Sequence, residues 1–346
     1  MKGKIAGNAQ KRKSALERKA LAPEQLRSNL PAFLKKKADE ARACIIMALL
    51  FSGSGHSGGS LSIIDAETAL YFHALRHDPK HPLWEERDRL FVSGQHKCPA
   101  QYAAMGLAGY FPIRDFIIGL RALGTPFQGH PDWLKLPGIE MSGGSLGQGL
   151  GIAIGSAIAA KMGEKTYRVY CIIGDGEQQE GSVWEAAMCA AHYELDNLCA
   201  IIDVNRLQID GRVEDVMNIE PLAKKYEAFG WRVIETDGHD MSALVRAFEE
   251  AKEARGQPSA IILRTIKGKG VSFMEDKADW HGKTPNLEQA RQALRELGFE
   301  HLLTDELMRS AREFRENIAR KYGPLISAAA RPHWWNGGDS MKVKMI

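Results

Sequence analysis

Cysteine is scarce in this sequence, and its spacing excludes the usual roles of paired cysteines. Five cysteines occur among 346 residues, and none belongs to a Cys-X-X-Cys pair. A disulfide-held secreted scaffold or a structural zinc site would show a denser and more regular pattern. The cysteines lie mostly in apolar stretches, so we expect reduced, buried thiols in a cytoplasmic protein; they are Cys44, Cys98, Cys171, Cys189 and Cys199.

Long apolar runs and a strong charge imbalance are also lacking. No apolar run reaches the roughly 18 residues that a membrane-spanning helix needs, so we expect no membrane partner. The formal net charge is +3, which is too small to indicate nucleic-acid binding. Low-complexity segments and internal repeats are absent as well. These features together favour an ordinary globular protein with a sizeable core.

The basic residues are concentrated at the front of the chain. Residues 1–20 contain seven basic side chains and one acid. No apolar stretch follows them, as a secretory signal would require. We expect residues 1–30 to form a solvated or partner-contacting arm, and an organelle transit peptide is the weaker alternative.

Apolar, β-branched segments alternate with helical patterns through most of the chain. This alternation predicts the α/β class, with a mostly parallel sheet covered by helices on both faces. The predicted strands are 168–173, 198–203, 231–236 and 260–264, and the predicted helices are about 31–50, 63–75, 183–193 and 242–254. The glycine-rich segment 52–60 is expected to be a loop whose backbone approaches a ligand closely.

The C-terminal part shows a helical stripe followed by an aromatic tail. Leu307, Ala311, Phe314 and Ile318 recur at helical spacing, and Gly323-Pro324 is a reasonable stop signal. Trp334 and Trp335 are costly to expose, so we expect them to dock on a surface. The predicted organisation is a basic arm at 1–30, one main α/β domain at 31–300, and a helix with a tryptophan-containing tail at 301–346.

Two polar motifs follow neighbouring predicted strands. Gly174-Asp175-Gly176 ends one strand, and Asn205 follows the next. Ligands of such sheets bind beyond the carboxyl ends of the strands, so the two side chains are expected to share a crevice. Their oxygens suit Mg²⁺ or Ca²⁺ and not zinc. Coordination positions left open would accept phosphate oxygens, and a helix after Gly181 could direct its amides at them.

In these motifs and several others, the sequence resembles the thiamine-diphosphate enzymes, and within them the transketolase family. The resemblance covers about residues 32–290 and implies the diphosphate-binding (PP-type) fold. It is carried by segments in a shared order, namely Gly55–Gly59, Arg87–Arg89, Ser93–His96, Gly129–Asp132, Gly144–Gly149, Gly174–Gly181, Asp203–Gly211 and Trp280–Gly282.

The resemblance implies roles for individual residues. Asp175, Asn205 and the carbonyl of Leu207 match the ligands of a divalent ion that bridges the diphosphate. His56, His130 and His281 match histidines that face the reacting substrate, where imidazole suits proton transfer near neutrality. The positions that match the thiamine diphosphate site are His96, Gly144, Leu146, Gly174, Asp175, Gly176, Glu177, Asn205 and His281.

Two acids have a second interpretation, and one loop departs from the family pattern. Glu180 and Glu185 match carboxylates that link two cofactor sites across a subunit interface, although first-turn acids also stabilise a helix dipole. Gln95 stands before His96 where many family members have glycine, which affects the backbone shape of that loop.

The resemblance also implies a missing half. A full transketolase has two further domains, and the residues after Gln289 are too few for the second, pyrimidine-binding domain. We therefore expect a split enzyme with a second subunit that carries the pyrimidine-binding and C-terminal domains, assembled as two copies of each chain. Sugars or sugar phosphates are the expected substrates, through transfer of a two-carbon ketol unit from a ketose to an aldose.

Three other interpretations remain open from the sequence. Two are enzymes, namely the α-type chain of a 2-oxoacid dehydrogenase first component and a 1-deoxyxylulose-phosphate-synthase-like protein. The histidine-containing loops favour transketolase over both. The third is a non-catalytic assembly subunit, which loss of the metal or histidine positions would favour; Asp175, Asn205, His56, His130 and His281 are all present.

Overall fold

The computed structural model describes residues 29–329. The predicted basic arm therefore lies almost wholly outside the described residues, as do Trp334 and Trp335. No helix within residues 29–329 combines the length and the apolar character needed to cross a bilayer.

A five-stranded parallel sheet forms the centre of the molecule. Its strands are β1 (Arg89–Val92), β2 (Val169–Gly174), β3 (Leu198–Val204), β6 (Arg232–Asp237) and β7 (Ser259–Arg264), and a separate two-residue pair is formed by β4 (Leu207–Gln208) and β5 (Gly211–Arg212). The strands of the sheet lie in the order β1-β2-β3-β7-β6, and every neighbouring pair runs parallel. β2 and β3 are buried along their whole length, as expected for a sheet covered on both faces.

Helices cover both faces of the sheet. Those of six residues or more are α1 (Leu30–Ser52), α2 (Ser57–Ala69), α3 (Cys98–Ala108), α4 (Ile113–Gly119), α5 (Gln148–Met162), α6 (Gly181–His192), α8 (Leu222–Ala228), α9 (Met241–Lys252), α10 (Leu287–Glu296) and α11 (Asp305–Ala329), with the short α7 (Val213–Met217) between β5 and α8. Alternate residues of one strand enter different cores, so Tyr170 and Ile172 pack with α1–α4, whereas Cys171 and Ile173 pack with α5 and α6. The predicted two-faced α/β architecture is confirmed.

The four predicted strands are present to within about one or two residues, and β1 was missed. β1 has four residues, which is too short to give a periodic signal of its own. Six helices were also not predicted, namely α3, α4, α5, α7, α8 and α10. α5 contains Gly149, Gly151 and Gly155, which lower intrinsic helix propensity, so tertiary packing decides its conformation.

The glycine-rich segment 52–60 is a loop only in its first half. α2 already begins at Ser57, and its first four residues are buried. A Cβ on Gly58 would lie 2.9 Å from both the Lys267 side chain and the carbonyl of Trp280. These glycines therefore permit a helix start to pack tightly against the 267–281 segment, and the expectation of a loop to residue 60 was wrong.

The predicted stop of the last helix near Gly323-Pro324 was also wrong, because α11 continues to Ala329. Arg315 on α11 donates hydrogen bonds to the carbonyls of Ile118 and Leu120 at the end of α4. These contacts anchor α11 to the domain before Gly323, and Gly-Pro favours the end of a helix without strictly requiring it.

Candidate active site

A cavity of about 350 Å³ opens beyond the carboxyl ends of β2 and β3. This is the position where parallel α/β sheets bind ligands. Its wall combines the ends of two strands with residues from several distant parts of the chain. The cavity is lined by His56, Gly59, His96, Lys97, His130, Gly144, Leu146, Gly174, Asp175, Gly176, Glu177, Gln179, Glu180, Asn205, Leu207, Gln208, Ile209, Asp210, Lys267 and His281.

Asp175 and Asn205 meet because their strands are in register. Gly174 pairs with Asp203, so the residues that follow each strand leave the same edge of the sheet. The Oδ1 of Asp175 accepts a hydrogen bond from the Gly176 amide at 2.8 Å. Its Oδ2 accepts one from the Arg206 amide. The expectation that both side chains share one crevice is confirmed.

A buried carboxylate beneath the pocket organises the end of β3. Asp203 is fully buried, and its Oδ2 accepts hydrogen bonds from Lys97 Nζ at 2.5 Å, Ser62 Oγ at 2.8 Å and Asn205 Nδ2 at 3.3 Å. Its Oδ1 accepts one from Thr265 Oγ1 at 2.5 Å. Because the amide nitrogen of Asn205 donates to Asp203, its amide oxygen is the atom left to act as a metal ligand, and this oxygen also accepts a hydrogen bond from the Leu207 amide at 3.1 Å.

The third oxygen expected at the metal, the carbonyl of Leu207, contacts a cationic side chain. Lys267 Nζ donates to this carbonyl at 2.9 Å and lies 2.9 Å from Nδ1 of His281. The carbonyl therefore faces a site that already attracts positive charge. Within residues 29–329 no group of three or more His, Cys, Asp or Glu side chains is arranged to hold a metal.

Burial and neighbouring charges shift the pKa values of the charged groups at the floor of the cavity, which are Asp175, Asp203 and Lys267. Burial, followed by the nearby negative charge of Asp203, raises the pKa of Asp175 to about 6. The Lys97 ammonium overcomes burial at Asp203 and keeps the pKa of that carboxyl below its ordinary value. Burial, followed by the charge of Lys97, lowers the pKa of Lys267 to about 8. Such shifts are typical of binding and catalytic sites.

Three histidines form a close group over this floor. The ring centroids of His56, His96 and His281 lie 5.2–5.4 Å apart, and His130 lines the same cavity. Burial, together with neighbouring cations, lowers the pKa of His56 to about 4 and that of His281 to about 3. Burial also lowers the pKa values of His96 and His130. The four imidazoles are therefore neutral at pH 7.

Glu177 connects three segments of the cavity wall. One carboxylate oxygen accepts hydrogen bonds from Ser93 Oγ and, at 2.8 Å, from the Gly147 amide. The other accepts one from the Gly174 amide at 3.0 Å. Glu177 lines the cavity as expected, and these contacts make it a clamp between β1, β2 and the 144–149 loop.

The 144–149 loop depends on glycine at two positions. Gly144 has φ 143° and Gly147 has φ 81°, conformations that residues with a Cβ rarely adopt. A Cβ on Gly144 would lie 3.1 Å from the His130 ring. The backbone can therefore pass close to His130 and place Leu146 at the cavity wall.

Every site residue expected from the sequence lines the cavity except Glu185. Glu180 lies at the rim, one residue before α6, whereas Glu185 is exposed on the outer face of α6. The cavity wall in this region is the turn Gly176–Gln179 followed by Glu180, and Gly181 does not line it. The suggestion that α6 itself directs its amides into the cavity stays a prediction.

Sequence reasoning missed the two lysines of the cavity. Lys267 follows the carboxyl end of β7 in the run Lys267-Gly268-Lys269-Gly270, and this position was a usable signal. Lys97 directly follows His96 and is almost fully buried against Asp203. No sequence feature near Lys97 indicates its partner Asp203, which lies more than a hundred residues further along the chain.

Comparison with known proteins agrees with this geometry. The family model for the transketolase thiamine diphosphate binding domain matches residues 34–323. The chain is 46% identical over 264 residues to the 6-deoxy-6-sulfo-D-fructose transketolase subunit of Clostridium sp. (strain MSTE9), covering 76% of this chain and 96% of that protein. It is 41% identical to an apulose-4-phosphate transketolase subunit of Phocaeicola vulgatus, covering 76% of this chain and 93% of that protein.

Full-length transketolases match over less than half their length. Human transketolase is 40% identical over 265 residues, which cover 76% of this chain and 42% of that protein. The crystal structure of transketolase from Campylobacter jejuni superposes with a TM-score of 0.74 at 31% identity, covering 86% of this chain and 48% of that one. The similarity is thus to one half of a full-length transketolase and to nearly all of a separate subunit.

Proposed function

The chain belongs to the transketolase family, as the N-terminal subunit of a transketolase divided between two polypeptides, and we propose that its cavity binds thiamine diphosphate through Mg²⁺ for ketol transfer with a second subunit. One observation carries the proposal. Asp175, Asn205 and the Leu207 carbonyl meet at one cavity beneath neutral histidines. A divided enzyme agrees with the 96% coverage of a relative that is itself named as a subunit.

Oxygen ligands at the strand ends suit Mg²⁺, and Ca²⁺ would fit the same set. Asp175 supplies the negative charge, and Asn205 and Leu207 supply neutral oxygens. Lys267 Nζ contacts the Leu207 carbonyl in this structure, so a cation bound at that carbonyl would repel the Lys267 ammonium and favour its movement away. Its ammonium would then be available to diphosphate oxygens in the same cavity.

When bound, thiamine diphosphate supplies the nucleophilic carbon and the electron sink for cleavage of a carbon–carbon bond. The chain's own residues supply placement and proton handling. His96, Gly144, Leu146, Gly174, Gly176 and Glu177 line the cavity that would hold the cofactor. His56, His130 and His281 have lowered pKa values, so they face a substrate as neutral hydrogen-bond donors or proton acceptors.

We propose a second subunit that carries the pyrimidine-binding and C-terminal domains. The outer surface of α5 and α6 offers a docking site, because these two helices pack together and expose an apolar, small-residue surface. This α5–α6 face consists of Gly151, Ile152, Gly155, Ala159, Met162 and Met188. Glu180 lies at the cavity rim and Glu185 on the outer side of α6, which supports their placement near a subunit contact in a two-plus-two assembly.

The proposed substrates are a ketose or ketose-phosphate donor and an aldose acceptor. The relatives named for sulfofructose and for apulose phosphate support a ketol transferase over a 2-oxoacid dehydrogenase chain or a 1-deoxyxylulose-phosphate-synthase-like enzyme. The expected histidines and metal-ligand residues are all present at the cavity, which argues against a non-catalytic assembly subunit. All five cysteines are free thiols, which supports the proposed cytoplasmic location.

Titration of the purified chain with thiamine diphosphate, with and without Mg²⁺ and with the second subunit present, tests the proposal. Uptake should require the metal, and Asp175→Ala or Asn205→Ala should weaken it at least about tenfold. The matched control is Asp215→Ala, which removes an exposed acid outside the cavity. Uptake that ignores Mg²⁺, or full ketol transfer by the chain alone, would contradict the proposal.

A further inference from the structure

Arg121 lies directly behind the histidine group without lining the cavity. Its Nη1 donates a hydrogen bond to Ser54 Oγ at 2.8 Å, and its Nη2 lies 3.3 Å from Nδ1 of His56. A Cβ on Gly129 would lie 2.7 Å from the guanidinium. The side chain therefore packs between the loop that carries His56 and the loop that carries His130.

The backbone holds this side chain in a fixed place. Arg121 follows α4 with φ 55°, in the left-handed region, and its amide donates to the carbonyl of Phe127 at 2.7 Å. Within residues 29–329 its guanidinium has two hydrogen-bond partners, Ser54 and His56, and neither is a carboxylate. The full positive charge of Arg121 thus faces the imidazole of His56.

Guanidinium only donates hydrogen bonds and keeps its charge at all ordinary pH values. The contact with Nδ1 therefore requires that nitrogen to accept. In a neutral imidazole with Nδ1 as acceptor, the proton is on Nε2. From this contact we infer that Arg121 is a positioning residue, which fixes His56 as the neutral tautomer with an Nε2–H available to the cavity.

This inference rests on the proposed function and assigns different proton-transfer roles to the histidines of the cavity. A His56 held in this form donates a hydrogen bond to a substrate oxygen throughout the reaction and does not accept a proton at Nδ1. Release of the donor hydroxyl proton must then use another group. Burial and the charge of Arg121 both lower the pKa of His56, as the inference requires. The groups that face His56 are Arg121, Lys267, His96, His130 and His281.

The tautomer of His56 can be read from long-range ¹H–¹⁵N spectra of the full chain labelled in histidine, with His56→Gln used for assignment. We expect an unprotonated Nδ1 and a protonated Nε2 from about pH 5.5 to about pH 8. Arg121→Met should raise the charged fraction of His56 at pH 6 about tenfold and mix the tautomers. Arg121→Gln, whose amide still donates, should restore the Nε2–H form.

The matched control is Arg315→Met, since Arg315 donates to the Leu120 carbonyl next to Arg121 but has no described contact with His56. It should leave the His56 signals unchanged. A wild-type His56 with its proton on Nδ1, or an Arg121→Met spectrum identical to wild type, would overturn the inference. If Arg121→Met fails to fold, Arg121→Gln and Arg121→Lys separate the two effects of the arginine: both should keep the Nε2–H form, and only Arg121→Gln, which removes the charge, should raise the charged fraction of His56 at pH 6; loss of the Nε2–H form in both would overturn the inference.

Ketol transfer with the second subunit provides the catalytic readout. Arg121→Met should lower kcat about tenfold or more, with cofactor affinity unchanged. The spectra need neither cofactor nor partner, so the two proposals fail separately. Missing metal-dependent cofactor uptake would reject the proposed function and leave the tautomer assignment standing. Unaltered kcat in Arg121→Met would reject the catalytic meaning of the tautomer.

Discussion

The side-chain nitrogen of Asn205 lies 3.3 Å from Oδ2 of Asp203, the carboxylate that also holds Lys97 at 2.5 Å. One fully buried acid thus neutralises a buried cation and orients an expected metal ligand two residues further along the chain. The arrangement couples the stability of the sheet edge to the geometry of the cavity floor.

Asp203→Asn should destabilise the chain by about 3–5 kcal/mol, because Lys97 would remain buried without its counter-charge. Urea unfolding measures the change. The matched control is Asp276→Asn, which removes an exposed carboxylate 3.4 Å from Arg212 and should cost less than about 1 kcal/mol. An equal loss of unfolding free energy in the two variants would show that the buried ion pair contributes no more to stability than the exposed one.

Metal affinity should fall in acid because of Asp175. Its pKa is about 6 in the metal-free chain, and a metal needs the ionised carboxylate. Above that pH no proton competes, and below it the apparent affinity should drop about tenfold per pH unit. Electron paramagnetic resonance of free Mn²⁺ at saturating thiamine diphosphate, corrected for the cofactor's own titration, measures this. Asp175→Asn should lose this slope, and a wild-type affinity that is constant from about pH 5 to about pH 7.5 would contradict the prediction.

Two glycines of α5 should respond oppositely to alanine. A Cβ on Gly149 would lie 2.4 Å from the Cβ of Ser93 and 2.7 Å from its Cα, so Gly149→Ala should destabilise by about 1–3 kcal/mol through overpacking. Gly155 has open space around its Cβ position. Gly155→Ala should therefore stabilise the isolated chain by about 0.5–1 kcal/mol. Thermal unfolding of the two variants is the measurement, and the same sign for both would refute this account.

A charge on the α5–α6 face should weaken binding of the second subunit. Met188 is 59% exposed on the α6 side of that face, and Met188→Lys should lower affinity at least about tenfold, with unchanged thermal stability. Leu83→Lys is the control, since Leu83 is 74% exposed outside this face. Isothermal titration with the partner separates them. An equal affinity for Met188→Lys and wild type would show that the second subunit binds at a different surface.

The sheet, the metal motif and most of the cavity could be predicted from the order of residues along the chain. Buried parallel strands such as β2 and β3 are continuous apolar runs, and Asp175 and Asn205 follow them directly, so local pattern and strand order suffice to bring the two together. The loop residues His56, His130 and Gly144 were found through family motifs, because short polar loops carry no periodic signal.

The supporting contacts and the irregular elements depend instead on how the chain packs in three dimensions. Lys97 meets Asp203, and Arg121 meets His56, across separations for which no local pattern exists, since side-chain partners of this kind are set by how distant segments pack. The same reason explains the glycine-rich start of α2, where packing against the 267–281 segment outweighs the conformational preference of the residues themselves.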